Sequence, residues 1–257
     1  MAKKNIWTDD EMIVVLDLYF KIPFGKQHSS NPEVQALAKL LTNRTNSSIA
    51  MRLGNYAACD PYILNTGRVG LPAGRDRCMP FWDRYANDKE SLFLKAEEIK
   101  AKLARVTLEK QLALHTEDFI GQDREAVIKQ RVNQASFRTM ILGNYEYKCA
   151  LTGIDVPELL VASHIVPWAS DEKNRLNPAN GICLSPLCDK MFDKGLLGIR
   201  EDYTVQLSAE LKENMGKDYY TRYIGLFENK KLRLPIEHLP DKRFLAYHYE
   251  NIFTPHN

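Results

Sequence analysis

The chain is 257 residues long, 26% charged and 44% hydrophobic, with 13 Gly and 12 Pro. This is an ordinary globular composition, and it excludes wholesale disorder, collagen-like repeats and low-complexity architecture. A formal charge of +2, from 35 Lys and Arg against 33 Asp and Glu, makes any polyanionic partner depend on a local basic surface. No apolar run approaches the roughly 18–20 residues needed to span a bilayer. No apolar stretch follows the basic start MAKKNIWTDDEM either, so the sequence predicts a cytoplasmic protein with no membrane partner. The five cysteines (Cys59, Cys78, Cys149, Cys183 and Cys188) form no regular framework. They read as reduced thiols or metal ligands rather than disulfides.

Residues 1–85 read as a block of short helices. Thr8, with Glu11 three residues later, can cap the first helix, and Ile13, Leu16 and Phe20 supply its buried face. Pro23-Phe24-Gly25 stops it. Asn31-Pro32-Glu33 starts a second, with Val34, Leu37, Ala38 and Leu41 as its apolar stripe. Thr45-Asn46-Ser47-Ser48 starts a third. A plain structural bundle satisfies this pattern. The third helix also opens with Arg44, Ser47 and Ser48 and carries Arg52 and Asn55, residue types suited to phosphate and base-edge contacts. An early Trp followed by an R-T-x-x-S-I helix resembles a Myb-like or helix-turn-helix unit, which implies DNA recognition through Arg44, Ser47, Ser48 and Arg52. From Arg44 to Arg84 six arginines face three acids, so this stretch is locally positive.

Residues 86–130 are strongly charged, with Leu92, Ile99, Leu103 and Val106 on helical spacing. They read as a solvated connector helix, with a dimerising helix as the alternative. Residues 131–257 open with a helix, RVNQASFRTMILGNY, and continue through short apolar strands around LLVASHIV and GICLS to a helix at DKMFDKG. The fold class expected is therefore α+β: helical N-terminal domain, connector helix, and a C-terminal domain built on a small β-hairpin.

The chemistry concentrates in that last block. A lone histidine on an apolar strand is usually a core residue. His164, however, is followed by Pro167-Trp168 and the polar loop DEKNRLNPAN, which ends its strand at a surface. Asp189 and Asp193 are four apart on a predicted helix, so both carboxylates share one face. Like charges at that spacing suit a hard divalent cation such as Mg²⁺.

Taken together, A-S-H-I-x-P-W around His164, Asn180, and D-K-x-F-D-x-G from Asp189 resemble the HNH nucleases, in particular a bacterial restriction-like branch. The resemblance covers roughly residues 131–257. His164 to Asn180 is 16 residues, Asn180 to Asp189 nine, and Asp189 to Asp193 four. The resemblance implies a ββα-metal fold and a Mg²⁺-dependent (or Mn²⁺-dependent) endonuclease acting on double-stranded DNA. In it His164 is the general base, Asn180 orients His164 by holding the loop, and Asp189 and Asp193 hold the metal. Lys190 and Arg138 steady neighbouring phosphates. Ser163 stands where many HNH proteins have an acidic or histidine ligand, and Cys188 where many relatives have His. The positions of the family's zinc knuckles fall on Cys149, Thr152, Ser185 and Cys188, only two of them thiols, so no structural zinc is expected. The hairpin is expected to be held by Leu160, Ile165, Ile182 and Leu184 instead. A restriction or phage-defence role is implied, with dependence on cytosine modification left open. Because one HNH site cuts one strand, a homodimer is expected. A DNA-binding regulator with an inactive HNH fold and an RNA nuclease are the rival readings.

Overall fold

The computed structural model describes residues 6–121 and 123–253. The chain divides into two compact units, Met1–Ser136 and Phe137–Asn257.

The first unit is helical: α1 (Asp9–Lys21), α2 (Pro32–Leu41), α3 (Asn46–Ala57), α4 (Pro61–Asn65), α5 (Arg75–Tyr85), α6 (Lys89–Ala104) and α7 (Leu108–Gln111). Local chemistry sets the starts. Thr8 Oγ1 accepts the Glu11 N–H and Glu11 returns the bond to the Thr8 N–H, a complete capping box. Asn31 and Thr45 cap α2 and α3. α1 is the centre of the unit, burying Met12, Val14, Val15 and Leu16 completely.

The stretch expected as a solvated connector is packed differently. α6 lies against α1 and buries Leu92, Phe93, Ala96 and Ile99. Asp17, fully buried on α1, is neutralised by Lys21 at 2.6 Å from the same helix and by Lys100 at 2.6 Å from α6. Interleaved charges suggested solvent on all sides; several of them instead form a buried cluster.

α8 (Arg124–Asn144) contains the division between the units. The second unit is α+β. β1 (Val161–His164) and β2 (Gly181–Leu184) form an antiparallel pair with Val161 opposite Leu184 and His164 opposite Gly181. α9 (Pro186–Asp193) follows directly. A second antiparallel pair, β3 (Leu197–Ile199) and β4 (Val205–Leu207), comes next. The short helices α10 (Ala209–Lys212), α11 (Asp218–Tyr223) and α12 (Lys242–His248) complete the unit, and α12 runs into a π-helical turn at Tyr249–Phe253. Leu160, Ile165, Ile182 and Leu184 are all buried around the hairpin. Gly181 is glycine for a steric reason: a Cβ there would overlap Ile141 and the Phe137 ring of α8. Among the described residues no helix is long and apolar enough to cross a membrane.

Candidate functional site

β1 ends at His164, and the chain leaves the strand for a long loop before returning at Gly181. Asn180 organises that loop from the inside. It is buried; its Oδ1 accepts the Val166 N–H at 2.8 Å, and its Nδ2 donates to the carbonyls of Val166 and Asn174, each at 3.2 Å. One amide thus ties the two ends of the loop together and satisfies groups that burial would otherwise leave unpaired. Arg175 adds a second tie, donating from Nε to the Trp168 carbonyl at 2.8 Å while lying over the Trp168 ring.

The loop in turn fixes His164. Its Nε2 lies 3.0 Å from the Arg175 carbonyl oxygen. A carbonyl only accepts, so Nε2 carries the proton and Nδ1 carries the lone pair. The imidazole stacks on Phe137 at 3.7 Å and meets the edge of Trp168 at 5.4 Å. Burial lowers its pKa, against the opposing effect of the Arg175 carbonyl, and so keeps it neutral near pH 7.

α9 supplies the acids. Asp189 and Asp193 lie one helical turn apart, and with His164, Lys190 and Lys194 they line a cleft of about 500 Å³. Desolvation raises both carboxyl pKa values. At Asp193 the neighbouring Asp189 charge adds to the rise while Lys190 and Lys194 oppose it; at Asp189 the Ser163 hydroxyl and Lys190 oppose it. Two oxygen donors held uncomfortably close in one cleft fit a hard divalent cation. Among the described residues no group of three or more His, Cys, Asp and Glu side chains is placed to hold a metal. A cation held by the pair therefore takes its other ligands from water and substrate, as Mg²⁺ commonly does.

The corner between hairpin and α9 is braced by sulfur. Cys149 Sγ accepts N–H groups from Thr152 at 3.3 Å and Ser185 at 3.1 Å. The Cys188 S–H and the Thr152 groups hold the Cys149 thiol down at about 4 against the opposing effect of burial. The two knuckle positions without thiols thus contribute backbone donors. Cys183 is buried on β2, opposite Ala162.

Several residues are placed otherwise than the sequence suggested. Arg44 is interior. It is 8% exposed, bonds Glu11 twice at 2.8 and 2.7 Å, bonds the Ile6 carbonyl at 2.9 Å, and lies 4.3 Å over the Trp7 ring. Arg52 is half-buried, 5.0 Å from the Trp7 ring centre and donating to Cys78 Sγ. Arg138 spends its guanidinium on the carbonyls of Leu160 at 2.6 Å and Pro157 at 2.9 Å. Of the three, Arg44 alone is interior; Arg52 is half-buried and Arg138 remains exposed while bracing these carbonyls. Ser47 is exposed, Ser48 returns its hydroxyl to the Thr45 carbonyl, and Lys190 is exposed at the cleft.

His248, from the end of α12, also lines the cleft. No local pattern marks it: it sits in a mixed tail, 55 residues after Asp193, and only tertiary packing brings it here.

Residues 149–200 match the family model described as HNH endonuclease. No curated protein matches the chain.

Proposed function

We propose that this chain, which carries an HNH endonuclease domain at residues 149–200, cuts phosphodiester bonds of double-stranded DNA with a divalent cation, Mg²⁺ or Mn²⁺, held by Asp189 and Asp193. The observation that carries the reading is His164: its Nε2 is committed to the Arg175 carbonyl, and it lines the same cleft as the two acids. Nδ1 takes the proton of the attacking water. The water oxygen forms the new bond to phosphorus, and the bond to the 3′ oxygen breaks. Asn180 keeps the imidazole oriented through the loop it ties. Lys190 steadies a neighbouring phosphate. When bound, the cation supplies charge stabilisation for the phosphate and the departing oxygen.

The knuckle positions support a hairpin without zinc: two of the four carry no thiol, and their N–H groups already engage Cys149. The presence of a separate helical unit in the chain supports site selection by that unit, with Ser47 and Ser48 at the start of α3. That division of labour suits a restriction or phage-defence enzyme. Two chains acting together account for a double-strand break. Ser163 offers the metal no carboxylate or imidazole, which is the observation favouring the rival, a DNA-binding regulator with an inactive site. Digestion of plasmid grown with and without cytosine methylation, run beside structured RNA, tests the reading. We expect Mg²⁺-dependent cleavage of at least one DNA and none of the RNA. Cleavage of RNA alone, or of neither, contradicts it.

A further inference from the structure

His248 is built into the cleft by two contacts to Phe192. It is 1% exposed and stacks face to face on Phe192 at 3.6 Å, and its Nε2 lies 3.0 Å from the Phe192 carbonyl oxygen. That carbonyl belongs to the last turn of α9, one residue before Asp193. The helix bearing His248 is docked in turn. A Cβ on Gly198 would overlap the Phe253 ring, and Tyr249 donates to Gln206 at 2.6 Å. His248 and Ile252, the latter within the π-helical turn that starts at Tyr249, both line the cleft; such turns recur at functional sites.

The hydrogen bond to Phe192 settles the tautomer. Nε2 donates, so Nδ1 is an acceptor, and Nδ1 is buried with no hydrogen-bond partner. An acceptor buried without a donor costs stability unless a ligand supplies one. Ser163, Lys190 and Lys194 also line the cleft and carry donors, but none bonds Nδ1 in this structure, and a ligand bound in the cleft can supply the missing donor. The hydration shell of a divalent cation on Asp189 and Asp193 is such a donor.

We propose that His248 is a positioning residue for the metal half of the site: Nε2 anchors the α9 turn that presents Asp193, and Nδ1 accepts a hydrogen bond from the hydrated cation. The proposal rests on the nuclease reading above. It adds a residue lying outside the segment that matches the family, whose effect is exerted on metal binding. Outer partners of this kind typically change metal affinity about 10–100-fold.

The test is Mn²⁺ affinity by electron paramagnetic resonance on the full chain, without DNA, for wild type, His248→Phe, His248→Gln and Asp193→Asn. The phenyl variant keeps the stacking and loses both nitrogens; the amide variant keeps a donor for the Phe192 carbonyl and loses Nδ1. Both should bind Mn²⁺ about 10-fold or more weakly, with Asp193→Asn at least as impaired. In wild type, long-range ¹H–¹⁵N spectra should show His248 as the Nε2–H tautomer, with its Nδ1 resonance moving on Mg²⁺ addition. This readout stands even if a variant fails to fold. Wild-type Mn²⁺ affinity in either folded variant, or an Nδ1 resonance unmoved at saturating Mg²⁺, overturns the role of His248 and leaves the nuclease reading standing. A wild-type chain that binds no divalent ion overturns both.

Discussion

At the scale of single residues, the contrast between His164 and Arg44 shows what a side chain's partners decide. Both were read as functional from their neighbours in sequence. His164 keeps one nitrogen available because its other nitrogen is satisfied by a backbone carbonyl. Burial lowers its pKa, and the sign of the consequence follows. A general base works when neutral, so cleavage should fall as pH drops through a value below the usual histidine range and be flat from there to neutrality. A rate profile whose acid limb lies above about 6.5, the ordinary histidine value, contradicts this placement of His164. Arg44 has no such freedom, because Glu11, 33 residues earlier, holds its guanidinium in the interior. Arg44→Ala leaves a buried carboxylate unpaired and should cost about 3–5 kcal/mol of stability in the first unit. Chemical denaturation measures it. A variant as stable as wild type but weaker on DNA would return Arg44 to the DNA face.

At the scale of elements, the strand-loop-helix frame carries most of what could be read in advance. His164, Asn180, Asp189 and Asp193 fall within about thirty residues; the four-residue spacing puts the two acids on one helix face, and the family resemblance places His164 and Asn180 in the hairpin frame. The helix starts were equally legible, because Thr8, Asn31 and Thr45 cap their own helices through bonds two or three residues long. α6 was not, because charge alternation looks the same on a solvated helix as on one whose lysine reaches a buried aspartate 83 residues away. His248 was hidden for the same reason. Gly181 marks where the hairpin meets α8. Gly181→Ala pushes a methyl group into Ile141 and Phe137, and overpacking of this kind typically costs about 1–3 kcal/mol. Because Phe137 also stacks on His164, the variant should lose activity beyond its loss of stability, read by comparing cleavage rates well below its melting temperature. Unchanged rate and stability would show that the strand-to-helix approach is looser than described.

At the scale of the whole molecule, the chain joins a helical unit centred on α1 to an α+β unit that contains the stretch matching the HNH endonuclease family model. The central claim is that the second unit cuts DNA through a base on β1 and two carboxylates on α9. The most direct measurement is single-turnover cleavage of supercoiled plasmid in Mg²⁺ by wild type and His164→Ala, with DNA binding of both followed in the same buffer. Losing a general base costs on the order of 10²–10⁴ in rate, while contacts to DNA are left in place. A loss of that size is expected at nearly unchanged affinity, with wild-type cleavage abolished by EDTA. Full activity in His164→Ala, or wild-type cleavage that persists in EDTA, would contradict it.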